Sequence, residues 1–141
     1  MLVRSLLVVA ALLFASRAGA QSQYVVVVNA TNPATSLSRD AVSRLFLKKV
    51  TLWPNEEPVV PVDQPERSMI RMLFSREVHG REVTTVRTYW KQQIFGGRSV
   101  PPDVRASDAS VISFVAEHPG GVGYVSANAR LNAKVKAIRI E

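Results

Sequence analysis

The residues best suited to ligand chemistry lie between Gln64 and Arg71. Pro65 disfavours an earlier helix start, and Ser68 precedes apolar residues at helical spacing, so Ser68 is the predicted N-cap of a helix. Arg67 and Arg71 flank this helix start, where free backbone amides and the helix dipole favour an anion. A hydroxyl, free amides and two guanidinium groups predict a site for an oxyanion such as phosphate. The alternative is two solvated arginines at a helix end.

Other side chains give little support for catalysis or a metal site. The chain has no cysteine and two histidines, His79 and His118. Both histidines fall near predicted helix C-termini, where an imidazolium is favoured, and neither has a neighbour at metal-ligand spacing. The acidic residues Glu56, Glu57 and Asp63 fit a carboxylate pair or, equally, a solvated turn. We therefore expect no enzyme activity, no cofactor and no metal.

Strands that alternate with helices would position this stretch. The β-branched run from Tyr24 to Val28 predicts a strand buried on both faces. Val59 to Val62 predicts a second strand, and Pro61 within it suggests an edge position or a strand end. Two closing strands are predicted at 122–125 and 135–140. Four helices are predicted from the caps Ser38, Ser68 and Ser107, from the inner residues Val83, Val86, Trp90 and Ile94, and from the stop at Gly80.

This order predicts an α/β three-layer sandwich, in which about four helices flank a small, mostly parallel or mixed sheet. Ligands in such folds lie at the carboxyl ends of strands and at helix N-termini. The stretch from Gln64 to Arg71 is at such a place. We see no internal repeat and no linker in the sequence.

The first 20 residues have the features of a secretory signal. Arg4 precedes an apolar run, and Ala18-Gly19-Ala20 fits a small-residue cleavage site. We expect cleavage there and a single domain from Gln21 to Glu141, with no membrane span after cleavage, although an uncleaved anchor is the alternative. Without Arg4 and Arg17, 16 of the 18 basic residues remain against 11 acidic ones, a net charge of +5. No basic block alternates with aromatic residues, so a nucleic-acid partner is not expected.

Several segments, in this order, resemble the phosphate-binding periplasmic proteins of ABC transporters. They are SLSRDAVSRLFLKKVTLWPN, VVPVDQPERSMIRMLF, SDASVISFVAEHPGGVGYVSA and VKAIRI. The pattern YW…FGGR…PP, from Tyr89 to Pro102, is similar to that of short, stand-alone members of the family. The resemblance implies one lobe of a type II periplasmic-binding-protein fold and a periplasmic location.

The resemblance also implies a phosphate site. The family's second lobe binds phosphate through an Arg-x-x-x-Ser-Gly-Thr turn at a helix start. Aligned on Ser68, this chain has Gln64 in place of the arginine, and Met69 and Ile70 in place of glycine and threonine. Ser68 and the backbone amides of Met69 and Ile70 carry over, whereas the arginine and threonine side chains do not.

Arg67 and Arg71 are the candidates to supply the missing charge. Family members close two lobes over the ligand, and this sequence has the length of one, so we expect weak binding of phosphate or a similar oxyanion. The implied role is phosphate uptake or sensing beside an ABC permease. Two alternatives remain open. One is a ligand-free module that contacts an envelope protein, and the other is a homodimer that rebuilds a two-sided cleft.

Overall fold

The structure is a computed structural model, which describes residues 22–141. The predicted signal peptide, residues 1–20, lies outside the described residues and stays a prediction. The strands are β1 Tyr24–Asn29, β2 Ser36–Leu37, β3 Val60–Asp63, β4 Asp103–Val104, β5 Gly121–Ser126 and β6 Val135–Ile140. The helices are α1 Arg39–Phe46, α2 Met69–Phe74, α3 Val83–Phe95 and α4 Asp108–Glu117, and a π-helical segment, Ser75–His79, continues α2. Within residues 22–141, no helix is long and apolar enough to cross a membrane.

The strands form one mixed sheet in the order β2-β6-β1-β5-β3-β4. β1 is antiparallel to both of its neighbours, β5 and β6. The other three pairings, β2 with β6, β3 with β4 and β3 with β5, are parallel. Five of the six residues of β1 are buried, as its β-branched sequence predicts.

Two apolar layers cover the two faces of this sheet. Val26 and Val28 of β1 belong to a buried cluster that includes residues of α1 and α2. Val27, which points to the opposite face, belongs to a second cluster with residues of α4. This arrangement confirms the predicted α/β three-layer sandwich. It also places α2 against the sheet, directly after β3.

β3 is an internal strand, so the edge position suggested by Pro61 is wrong. The strand begins at Val60 and lies between β5 and β4. Val60 donates its N–H to Gly120 O in the direction of β5, so the backbone of Pro61 faces the β4 side. β4 pairs only with Val62 and Asp63, and at Pro61 it has not yet begun. The missing N–H of the proline therefore costs no sheet hydrogen bond.

The predicted helix ends are confirmed where a single residue determines them. The hydroxyls of the N-caps Ser38, Ser68 and Ser107 accept hydrogen bonds from backbone amides of the first helical turn. Gly80 ends the π-helical segment with φ of 63°, a left-handed conformation that glycine adopts at low cost. These contacts are local, which is why the sequence predicts them.

The prediction that Ile94 lies on the inner face of α3 is wrong. Val83, Val86 and Trp90 are buried as expected, but Ile94 is 53% exposed. The buried cluster beneath α3 contains Leu47, Val86 and Trp90, and the last turn of the helix extends beyond it. Helical spacing alone does not show where the neighbouring layer ends.

His79 lies at a helix end, where an imidazolium is favoured, but its surroundings favour the neutral ring. Burial, together with the nearby charges of Arg71, Arg81 and Lys49, lowers the pKa of His79 to about 4. His79 Nδ1 lies 2.7 Å from the hydroxyl of Ser43 on α1. The ring is therefore neutral near pH 7 and links two helices.

Candidate functional site

The turn between β3 and α2 is built around Ser68. Its hydroxyl accepts a hydrogen bond from the Arg71 amide at 3.2 Å, which caps α2. The same hydroxyl donates to Gln64 Oε1 at 2.7 Å, and the Ser68 amide donates to Pro65 O at 2.9 Å. The single hydroxyl proton of Ser68 is thus already engaged within the turn.

Arg71 points into the protein. Its guanidinium lies 2.9 Å from Asp63 Oδ1, and both residues are more than nine-tenths buried. The same nitrogen donates to Gln64 O at 2.8 Å. The positive charge of Arg71 is therefore compensated inside the protein, and the guanidinium ties the end of β3 to α2.

Asp63 is at the centre of this network, and the sequence did not predict its burial. It is 5% exposed, so the solvated turn considered for it is wrong. Its Oδ1 accepts from the amide of Gln64 at 2.9 Å and from the hydroxyl of Tyr124. Burial raises the pKa of Asp63, while Arg71 and these hydrogen bonds act in the opposite direction. Burial and the adjacent Asp63 carboxylate raise the pKa of Tyr124 as well.

Gln64 completes this buried network. Its side-chain amide donates to Tyr124 O at 2.8 Å, and its Oε1 accepts from Ser68. The residue is 6% exposed. At this position an arginine could not accept the Ser68 proton, whereas glutamine can. Gln64 therefore holds the turn to β5.

Three of the predicted site residues lie on the outer side of the turn. Met69 is 66% exposed, Ile70 is half-buried and Arg67 is exposed. Among residues 22–141, the amides of Met69 and Ile70 have no hydrogen-bond acceptor. Arg67 has no carboxylate within 4.0 Å among the same residues, although Glu66 beside it pairs with Arg87. Two N–H groups without an acceptor, and one exposed guanidinium without a carboxylate partner, thus lie at the helix start.

The turn therefore has two sides with different chemistry. Ser68, Gln64 and Arg71 meet on the inner side, in a hydrogen-bonded network with Asp63 and Tyr124. The outer side offers N–H groups that could donate hydrogen bonds to an anion. Part of this division is visible in the sequence, because Arg71 is three residues before Phe74 and so shares its buried helix face. Tyr124 has no such local signal, since it reaches the turn only through the pairing of β3 with β5.

The acidic and histidine side chains of residues 22–141 do not form a metal site. Within residues 22–141, no group of three or more histidine, aspartate or glutamate side chains converges as a ligand set. The acidic residues nearest the turn, Asp63 and Glu66, are each paired with an arginine.

Comparison with known proteins identifies the family. A model of the PBP superfamily domain matches residues 20–139. The fold is similar to a protein assigned as a phosphate ABC transporter substrate-binding protein, with bound phosphate, from Clostridium perfringens, with a TM-score of 0.67 and 18% identity over 84% of this chain and 44% of that one. It is also similar to an ABC-type phosphate transport receptor from Vibrio cholerae, with a TM-score of 0.63 and 22% identity over 82% of this chain and 45% of that one.

The chain thus spans less than half the length of these two proteins. No curated protein sequence matches it significantly. At these identities the structural similarity establishes the fold, which agrees with the predicted lobe of a periplasmic binding protein.

Proposed function

Because the chain belongs to the PBP superfamily domain family, we propose that it binds phosphate or a similar oxyanion at the turn between β3 and α2. One observation carries the proposal: the free amides of Met69 and Ile70 lie at a helix start, directly after the carboxyl end of β3. Backbone N–H groups at a helix start favour an anion through both hydrogen bonding and the helix dipole. The similar protein from Clostridium perfringens is one that holds phosphate.

The roles of the predicted residues divide between the two sides of the turn. Met69 and Ile70 donate their amides to the oxyanion, and Arg67 supplies attraction from the exposed side. Ser68, Gln64 and Arg71 hold the turn in the conformation that aims these amides outward. Arg71 contributes little net attraction, because Asp63 compensates its charge at 2.9 Å.

This site binds weakly in our proposal. The oxyanion remains hydrated on its open side, and dissolved salt screens an exposed charge such as Arg67. A dissociation constant in the millimolar range, about −4 kcal/mol, is what two amides and one exposed cation would give. Such a protein would act in the periplasm, in phosphate uptake or sensing with an ABC permease. The protein binds and releases the oxyanion without changing it chemically.

A second function is favoured by the pairing of Arg71 with Asp63. Because that pair leaves the inner side of the turn without surplus charge, the lobe could have lost its solute and become a protein-interaction module. A homodimer that covers the turn from a second side is a further arrangement. Light scattering with and without phosphate tests this arrangement, because the measured mass rises on phosphate addition only if phosphate joins two copies of the chain.

Calorimetric titration of the chain with phosphate at low salt tests the leading proposal, with sulfate as the comparison ion. We expect saturable binding that weakens with added salt. The Arg67→Ala variant should bind more weakly, while Arg130→Ala, a matched exposed arginine between β5 and β6, should bind as the wild type does. No binding at about 10 mM phosphate, a concentration well above a millimolar dissociation constant, would reject the proposal.

A further inference from the structure

Exposed apolar residues are concentrated between the end of α3 and β4. The described residues include seven large hydrophobic side chains that are exposed, and four of them fall between the last turn of α3 and β4. These four are Ile94, Phe95, Val100 and Val104, with Phe95 92% exposed. We call the region they form with the adjoining cavity the α3–β4 surface. Single exposed apolar residues are ordinary, but a cluster of this kind marks an interaction site.

A cavity of about 280 Å³ opens on this surface. Its walls are apolar, with Trp90 and Ile94 on α3 facing Pro101, Pro102 and Val104. Its polar lining includes Asp63, Gln64 and Arg71, each more than nine-tenths buried. A recess with apolar walls and buried polar groups is suited to receive one apolar side chain.

The charge around the α3–β4 surface is positive. Lys91 lines the cavity, and the Arg98 guanidinium lies over Gly96, next to Phe95. Among residues 22–141, neither Lys91 nor Arg98 has a carboxylate within 4.0 Å. Arg87 at the cavity is neutralised by Glu66. The complementary partner is therefore negative where it meets the rim and apolar where it enters the cavity.

We propose that the α3–β4 surface binds an acidic segment of a partner protein. In this complex an aromatic or aliphatic side chain of the partner fills the cavity against Trp90. Carboxylates on either side of that anchor face Lys91 and Arg98, and the partner backbone covers Phe95. Such a buried anchor within a charged rim is the usual arrangement of a protein-binding hot spot.

Other occupants fit these observations less well. A small molecule confined to the cavity would leave Phe95 and Val100 in water. A second copy of the chain would bring together two molecules with surplus positive charge, since residues 21–141 carry 16 basic and 11 acidic residues. An anionic membrane would match the charge, but a flat surface would leave the recessed cavity unfilled.

The proposal is independent of phosphate binding. Gln64 and Arg71 line the cavity, but the proposed phosphate donors Met69 and Ile70 do not, so either ligand could fail to bind without the other. The amide resonances of Met69 and Ile70 and those from 90–104 therefore report on the two sites separately in one sample. This separation allows each result to be assigned to one proposal.

The test is a nuclear magnetic resonance titration with the peptide EEFEE at low salt. We expect saturable shifts of the Trp90 indole N–H and of amides between 90 and 104, with millimolar affinity. The peptides EEAEE, which lacks the anchor, and KKFKK, which reverses the charge, should each bind at least about fivefold more weakly. Equal binding of EEFEE and EEAEE would overturn the proposal, as would saturable shifts confined to other regions.

Matched variants locate the contacts. Ile94→Ala should weaken EEFEE binding about fivefold, whereas Leu52→Ala should not change it. Leu52 is 55% exposed and lies outside the α3–β4 surface, so it is a fair match for Ile94 at 53%. Lys91→Glu should also weaken binding about fivefold, while the exposed Lys134→Glu, before β6, should leave it unchanged.

Two further outcomes would overturn the acidic partner. Self-association in light scattering that Ile94→Ala abolishes would identify a second copy as the occupant. Sedimentation with phosphatidylglycerol vesicles that Phe95→Ala abolishes would identify a membrane surface. Absence of saturable EEFEE binding up to about 10 mM would also reject the proposal.

Discussion

Replacing Arg71 with alanine should destabilise the fold much more than replacing Arg67. Arg71 is 7% exposed and lies 2.9 Å from the buried carboxylate of Asp63. The truncation leaves Asp63 buried with the hydroxyl of Tyr124 and the amide of Gln64 as hydrogen-bond donors but without its counterion. Arg67 is exposed, and alanine there removes no buried partner.

The expected loss for Arg71→Ala is about 3–5 kcal/mol, since this is the usual penalty for leaving a buried charge unpaired. That is a large part of the roughly 5–15 kcal/mol by which domains are stable. Arg67→Ala should stay within about 0.5 kcal/mol of the wild type. The double variant Asp63→Asn, Arg71→Met should recover most of the loss, because the asparagine oxygen still accepts from Tyr124 and carries no charge.

The loss should also depend on pH. Burial raises the pKa of Asp63 in the folded protein, and Arg71 opposes that shift, so removing Arg71 raises this pKa further. A carboxyl whose folded pKa is raised favours folding most below its unfolded pKa, and this contribution is lost as pH rises through the folded pKa. The penalty of Arg71→Ala should therefore be largest near neutral pH and shrink as pH falls through the raised pKa of Asp63.

Urea denaturation followed by circular dichroism at several pH values measures these effects. A penalty for Arg71→Ala below about 1 kcal/mol near neutral pH would refute the reasoning, since it would place Arg71 in a solvent-screened pair. A penalty that grows as pH falls would contradict the assigned role of Asp63.

Four other changes test the fold. The pKa of His79 is about 4 in the folded protein, so between this value and its usual range the unfolded chain binds the proton better, and acid destabilises the wild type. His79→Gln removes this effect. Between pH 7 and pH 5 the wild type should therefore lose about 2 kcal/mol more stability than the variant, as measured from urea midpoints. Ser68→Ala should cost about 1–2 kcal/mol in the same assay, since the Arg71 amide loses its cap. Gly120→Ala should abolish folding, since its Cβ would meet a backbone oxygen at 1.7 Å; Gly80→Ala, with φ of 63° and open space, should cost only about 1 kcal/mol in thermal melts.

The sequence predicts features of this fold that arise from local interactions. Ser38, Ser68 and Ser107 each cap a helix through a bond to an amide a few residues away. The run of β1 is almost wholly apolar, which requires cover on both faces wherever the strand is placed. Ile94 could not be placed in the same way, because its exposure depends on where the packing beneath α3 ends.

The candidate site is less predictable because its chemistry depends on tertiary contacts. The sequence locates the turn and the amides of Met69 and Ile70, since a helix cap is local. It does not reveal that Asp63 and Tyr124 meet Arg71, because the residues of this contact are separated by up to 61 positions along the chain. Arg71, which the sequence suggests to be a surface charge, is instead part of an internal ion pair, in a network that Tyr124 joins through the pairing of β3 with β5.

The central claim is that the turn between β3 and α2 binds phosphate through its free amides. The most direct test follows the backbone amide resonances of Met69 and Ile70 in an isotope-labelled sample during titration with phosphate at constant pH and low salt. Our account predicts saturable downfield shifts of these two amide protons, weakened by added salt and by Arg67→Ala. Unchanged resonances of both amides at phosphate concentrations that shift other residues would contradict it.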